Sequence, residues 1–291
     1  MKIRIFILLV FSFVFHSAIS QNDSIRSTAY MSIKKYRERH KAPLTQKDSI
    51  NFLYKENDTL VLLENYKLPE GVIVPYEYKD STFLNYYTKI AFRKQGIDSL
   101  DNKEMMKYWK KPIKIYFSNS VSNKVKKDFI SFTKQITNNV DSLSISKVNK
   151  LEDSNYIIYY KDDYEYEKNL KEKVMSDYYI AWKNNIIYTG SIKINTDTLY
   201  NDKLILSQLK VLFLQSLGYF KLINDFTCEN YFSNCYSDKK KLTKLDLEIL
   251  KYHYSYGICK GTTLKTFIQQ HKESSKLFLE KGLKSRFIHK Q

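Results

Sequence analysis

Glycine and proline are scarce, at seven and four in 291 residues. No stretch holds enough of either to serve as a flexible or stiff linker, and no internal repeat or low-complexity tract divides the chain. Cysteine is nearly absent too, at three. That excludes a disulfide-dense miniature scaffold. Arginine occurs only at positions 4, 26, 37, 39, 93 and 286. The formal net charge of +17 is therefore mostly lysine. Base reading favours arginine, whose planar fork bonds two acceptors at once, so nucleic acid is not the expected partner. The lysines are also spread out, with only short clusters such as Lys239, Lys240 and Lys241. A solvated surface is the plainer reading of such charge, and an anionic cell-envelope surface the alternative. No apolar run after the first twenty residues is long enough to cross a bilayer, so no membrane span is expected in the mature chain.

What the sequence does have begins with a secretory signal. Lys2 and Arg4 form a basic start, residues 3–15 are almost unbroken apolar, and Ala18 and Ser20 precede Gln21 as a small-x-small cleavage site. This pattern predicts cleavage near Ser20 and Gln21 and export to the periplasm or beyond. Loss of Lys2 and Arg4 lowers the formal charge from +17 to +15. No cysteine follows the apolar stretch, so no lipid anchor is expected.

The rest organises around residues 204–220, LILSQLKVLFLQSLGYF. Only Ser207, Gln208, Lys210, Gln215 and Ser216 interrupt its apolar surface before Gly218. Such a helix is too short for a bilayer and belongs in a core. Asn201 and Asp202 precede it as N-cap residues, because a short polar side chain can accept from a free first-turn N–H. Gly218 is the expected left-handed stop.

Upstream, residues 113–117 alternate like a strand, and 122–138 read as an amphipathic helix with Val125, Phe129, Phe132 and Ile136 on one face. Residues 156–160 read as a strand. Residues 178–182 and 186–194 read as a hairpin across Lys183, Asn184 and Asn185. Downstream, Thr243 and Asp246 resemble a capping box opening a helix to Tyr254. The pattern predicts an α+β fold, a small mixed twisted sheet with packed helices, over residues 108–262. Residues 21–107 are expected to be an accessory region with a charged helical stretch at 34–41 and short strands at 59–63 and 72–75. Between those strands, Leu68, Pro69, Glu70 and Gly71 read as a turn. The region also has a helix at 83–92. Residues 263–291 are expected to be a basic C-terminal helix.

The buried helix, set after strand, helix, strand and hairpin, resembles the active-site helix of metzincin zinc peptidases, which carry H-E-x-x-H-x-x-G-x-x-H. Aligned through Gly218, that pattern puts Val211 and Gln215 at the two helical histidines, Leu212 at the glutamate and Lys221 at the third histidine. Valine and leucine offer a metal no lone pair, and a lysine cation repels one. From Trp109 to Gly261 the chain also resembles the exported bacterial family catalogued as domain of unknown function 2927. The resemblance rests on Trp109-x-x-Pro112-Ile113, Asn155-Tyr156-Ile157-Ile158, Gln215-Ser216-Leu217-Gly218, Asn224-Asp225 and Leu242-Thr243-x-x-Asp246. That family usually has two glutamates before its Leu-x-Gln, and Val211 and Leu212 stand there instead. Its Asn-Asp also lies nearer the glycine than Asn224 and Asp225 do. The resemblance implies a degenerate metzincin-like scaffold and carries no known activity.

Other chemistry is sparse. Cys228 and Cys235 are the first choice of disulfide, although Cys259 leaves three pairings open. Cys228, Cys235, His253 and Cys259 make an alternative Cys3His zinc set, at a spacing that fits no short knuckle. Beside the helix, Asn224, Asp225 and His253 are candidate cleft residues. Asp225 with His253 would be the acid–base pair of a non-standard hydrolase, while Asn224 and Asp225 read more simply as caps. Asp162, Asp163, Glu165 and Glu167 read as a solvated loop, or as an unpatterned calcium site. His40, His271 and His289 sit in no motif. No cofactor is expected. The sequence predicts a non-catalytic exported module that binds a protein or an anionic envelope component, with an active hydrolase as the alternative.

Overall fold

The computed structural model describes residues 29–40, 43–55, 58–63, 72–93, 105–281 and 285–289. The expected signal sequence and the turn at 68–71 lie outside them. The chain falls into two compact units, residues 1–70 and 71–291. In the first, a three-stranded antiparallel sheet forms from β1 (Ala29–Ser32), β2 (Leu53–Lys55) and β3 (Asp58–Leu63), with β3 in the middle. Helices α1 (Ile33–Arg39) and α2 (Gln46–Ile50) belong to it. A capping box of Thr45 and Asp48 starts α2. Val61 at the centre of β3 is fully buried.

The second unit opens with β4 (Val72–Pro75), which pairs antiparallel with β11 (Arg286–His289). Helix α3 (Ser81–Ala91) follows, capped by Asp80 accepting from Phe83 N–H. The sequence predicts α3 well but assigns it to an accessory region ending at 107. Its Phe83, Tyr87 and Ile90 are instead buried in the main core. Tyr87 and Phe83 pack edge-on against Tyr252, at 4.8 and 5.3 Å between ring centroids. The boundary moves to residue 70 because three buried apolar side chains of α3, two of them aromatic, pack with the later elements.

The main sheet is built from β5 (Tyr108–Trp109), β6 (Ile113–Phe117), β7 (Ile145–Lys147), β8 (Tyr156–Tyr160), β9 (Asp177–Lys183) and β10 (Ile186–Ile194). Strands β7, β6, β8 and β10 lie side by side and parallel, and β9 pairs antiparallel with β10 as an edge. β5 runs parallel to the start of β10. Parallel neighbours need crossovers, and helix α4 (Asn123–Thr137) supplies one between β6 and β7. In β6 the alternation is plain: Ile113, Ile115 and Phe117 are buried and Lys114 is exposed. The β9–β10 turn puts Asn184 and Asn185 at φ 50° and 64°. Two left-handed residues make the tight turn that matches strand twist, and asparagine tolerates that conformation.

Helix α5 (Asp202–Ser216) is the buried helix. Asn201 caps it, accepting from Leu204 N–H at 3.0 Å, while Asp202 takes the Ser122 hydroxyl. Phe213 of α5 meets Phe129 of α4 and Tyr156 of β8 edge-on at 5.1 and 5.4 Å. Helices α6 (Lys244–Tyr254) and α7 (Leu264–Lys281) complete the unit. Leu264 and Phe267 of α7 are buried in the same core, so the C-terminal helix is not a separate region. No helix of the described residues is long and apolar enough to cross a membrane.

Candidate functional site

The end of α5 differs from the sequence expectation. Tyr219, not Gly218, takes the left-handed conformation, at φ 56°. Phe220 N–H then reaches back to Gln215 C=O at 2.8 Å, the closing bond of a Schellman turn. Side chains satisfy the next two carbonyls. The Trp109 indole N–H donates to Ser216 C=O at 3.2 Å and the Tyr254 hydroxyl to Leu217 C=O at 2.6 Å. Glycine is needed at 218 for space. A Cβ there would lie 2.3 Å from the Phe220 ring and 2.9 Å from His253 Nε2.

The helix end faces an open cleft of about 410 Å³ beside the edge strand β9. Gln215 and Tyr219 line one side, Tyr178 and Trp182 the other, and Arg93 and Lys173 bring cations to it. The Arg93 guanidinium sits 4.2 Å from the Tyr219 ring centroid. The Lys107 ammonium lies 4.8 Å from the Trp182 ring and 5.2 Å from the Tyr219 ring. Burial pushes the Tyr178 hydroxyl up, and the charge of Arg93 opposes this. Arg93 is placed by the end of α3. There Lys221 N–H bonds Ile90 C=O at 3.0 Å, and Lys89 pairs with Asp225 at 2.6 Å.

One wall of the cleft, Asn169 to Lys173, comes from the loop after β8. Its acidic residues are not merely solvated, as the sequence suggests. Asp163 accepts from the Ser118 and Ser120 hydroxyls at 2.6 Å and from Tyr160 N–H at 2.7 Å. Glu165 pairs at 2.5 Å with Lys193, whose side chain is 7% exposed, and also takes the Tyr159 hydroxyl. Lys193 in turn donates to the carbonyls of Leu170 and Lys171. A buried ammonium needs all of its donors used, so Lys193 pins this wall in place.

The other expected residues separate. Val211 and Leu212 are buried apolar side chains of the core. Gln215 lines the cleft and makes only a long 3.5 Å contact with Phe220 C=O. Asn224 is exposed. Asp225 is engaged by Lys89, and His253 is fully buried elsewhere. No hydrogen bond joins Asp225 to His253, because both ring nitrogens of His253 are taken. Nε2 lies 2.9 Å from Lys107 C=O, which can only accept, so Nε2 carries the proton and Nδ1 accepts from the Tyr87 hydroxyl at 3.0 Å. Cys228 and Cys235 form a disulfide, and Cys259 is free and half-buried, with burial pushing its thiol up. The disulfide removes two thiolates from the Cys3His set. Among the described residues no three His, Cys, Asp or Glu side chains are grouped to hold a metal. The residues at the aligned motif positions do not fit zinc.

Burial pushes His253 down from 6.5 to about 3. The fold holds it neutral, while the unfolded chain binds a proton below pH 6.5. Its contribution is therefore complete above pH 6.5 and lost as pH falls towards 3, by up to roughly 5 kcal/mol. The urea midpoint should fall across that window. His253→Phe should be less stable at pH 7 but show a flatter pH dependence.

No protein-family model matches the chain, and no curated protein matches it. The cleft residues Arg93, Tyr178, Trp182 and Tyr219 are not legible in the sequence. The only signal is an aromatic pair in a predicted hairpin and at a helix end.

Proposed function

We propose that the protein is an exported, non-catalytic binding module on a degenerate metallopeptidase-like scaffold. Its ligand is a protein or a cell-envelope component. The observation that carries this is the make-up of the cleft beside α5. Where a zincin helix would present histidines and a glutamate, the helix offers Gln215 to the cleft and buries Val211 and Leu212. Aromatic and cationic side chains occupy much of the remaining lining.

Two further facts support the scaffold. Apart from the short β7, the elements run β6, α4, β8, the β9–β10 hairpin and then α5, which is the layout behind the metzincin resemblance. The edge strand beside the helix is antiparallel to its neighbour. Export rests on the N-terminal sequence pattern, and a formed Cys228–Cys235 bridge suits an oxidising compartment. The hydrolase alternative loses its support, because it needs Asp225 and His253 to act on one another.

The test restores what is missing. A V211H/Q215H/K221H variant should take up about one zinc per chain in elemental mass spectrometry, because two histidines one turn apart share a helix face. A triple variant that takes up no more zinc than the unaltered protein contradicts the scaffold.

A further inference from the structure

Four residues among the described ones hold left-handed backbone without being glycine: Arg93, Asn184, Asn185 and Tyr219. The two asparagines make the hairpin turn. Arg93 and Tyr219 follow the ends of α3 and α5, where glycine is the usual left-handed residue. A long or aromatic side chain in that conformation is strained, and it persists only where the surroundings impose it. The Arg93 guanidinium lies 4.2 Å from the Tyr219 ring centroid, and both residues line the cleft beside β9. Strain collected at one cleft points to a ligand site.

The lining indicates what the ligand carries. The Arg93 guanidinium lies over the Tyr219 ring and bonds the Tyr178 hydroxyl, and the remaining donors of its planar fork match a carboxylate. The buried Lys107 adds positive potential behind the aromatic wall. Asp177 is the one carboxylate among the lining residues, and Lys173 neutralises it at 3.3 Å. Trp182 packs against Tyr219 with centroids 5.3 Å apart and planes tilted by 42°, and its exposed side gives the cleft an apolar wall. Such a wall suits the C–H face of a saturated ring. The amides of Asn169 and Gln215 can both donate to and accept from hydroxyls. The volume, about 410 Å³, lies in the small-ligand range. An acidic peptide side chain would use the fork but neither the aromatic wall nor the amides.

We propose that this cleft binds a carboxylate-bearing sugar unit. Arg93, backed by Tyr219, takes the carboxylate, and Trp182 takes the ring face. The proposal rests on the binding-module reading and names the chemistry of its ligand. The chain's formal charge of +17 would concentrate such anions near the protein.

Trp182 reports directly on binding. It is 39% exposed and the other tryptophan, Trp109, is 2% exposed, so emission changes on titration come from the cleft. The purified protein is titrated with glucuronate, galacturonate and N-acetylmuramic acid. Glucose, galactose and N-acetylglucosamine serve as neutral counterparts, and N-acetylglutamate amide as the peptide probe. At least one sugar acid should saturate with Kd in the millimolar range or tighter, and its neutral counterpart should bind at least about tenfold more weakly. Arg93→Gln should lose at least about tenfold, Arg93→Lys should recover part of it, and the exposed Lys150→Gln should change nothing. The acid-against-neutral comparison needs no variant, so a folding defect in Arg93→Gln does not decide the matter. Equal binding of neutral sugars overturns the role of the carboxylate. Binding of the glutamate derivative as tight as any sugar acid overturns the sugar assignment. No binding by any acid overturns the ligand class and leaves the scaffold reading, which is tested by zinc, standing.

Discussion

Gly218→Ala should destabilise the protein by about 3–5 kcal/mol, although it adds a single methyl group. The new Cβ would sit 2.3 and 2.4 Å from two atoms of the Phe220 ring and 2.9 Å from His253 Nε2. Neither neighbour has room to give. Phe220 and His253 are both fully buried, with their rings 4.6 Å apart edge to face, and Phe220 packs against Phe232 at 5.3 Å. Overpacking of this kind costs about 1–3 kcal/mol. Displacing His253 would also break its 2.9 Å bond to Lys107 C=O and strand a buried group, which adds about 1–3 kcal/mol. The measurement is the urea midpoint at constant slope. Gly261→Ala is the comparison. Gly261 has φ 70°, but its Cβ would meet nothing closer than 3.7 Å, so only backbone strain remains, at about 1 kcal/mol. Equal costs at the two sites would show that Phe220 and His253 give way to the added methyl group.

Asp246→Ala should cost about 3–4 kcal/mol. The carboxylate is fully buried and accepts four bonds: Thr243 N–H at 2.9 Å, Thr243 hydroxyl at 2.8 Å, Tyr231 N–H at 3.2 Å and Phe232 N–H at 3.3 Å. Burial pushes its pKa up, and the donors pull against that. The side chain therefore does two things. It completes the capping box of α6, and it ties α6 to the loop closed by the Cys228–Cys235 bridge. Alanine removes the carboxylate half of the capping box and leaves the buried Tyr231 and Phe232 N–H groups without an acceptor. Asp246→Asn should cost roughly half as much, because the amide keeps one oxygen but turns an N–H₂ group towards a donor. Amide exchange at Tyr231 and Phe232 should quicken in both variants. Unchanged exchange there would mean that the loop holds itself together without α6.

Local signals are legible wherever they are complete within one turn or one hairpin. The caps at Asn201 and Thr243 and the Asn184–Asn185 turn are readable because each depends on residues at most three positions apart. The core face of α4 follows from periodicity, and the burial of α5 from its nearly unbroken apolar surface. What is not legible depends on distance. Gly218 reads as the left-handed stop because nothing in the sequence says that Phe220 folds back across it. Glu165 reads as solvated because its partner, Lys193, is 28 residues away. Helix α3 is readable but falls to the wrong unit, since its partners Tyr252 and His253 arrive near the end of the chain. The cleft is invisible for the same reason. Arg93, Trp182 and Tyr219 come from three separate parts of the chain, and the left-handed backbone of the first and last leaves no mark on residue type.

The most direct measurement of the central claim is the zinc content of residues 21–291, equilibrated with zinc and then exhaustively dialysed, by elemental mass spectrometry. The expected result is no stoichiometric metal, because Val211, Leu212 and Lys221 offer no ligand and the Cys228 and Cys235 sulfurs are joined. One zinc per chain that survives dialysis would contradict a cleft built for binding rather than for metal chemistry.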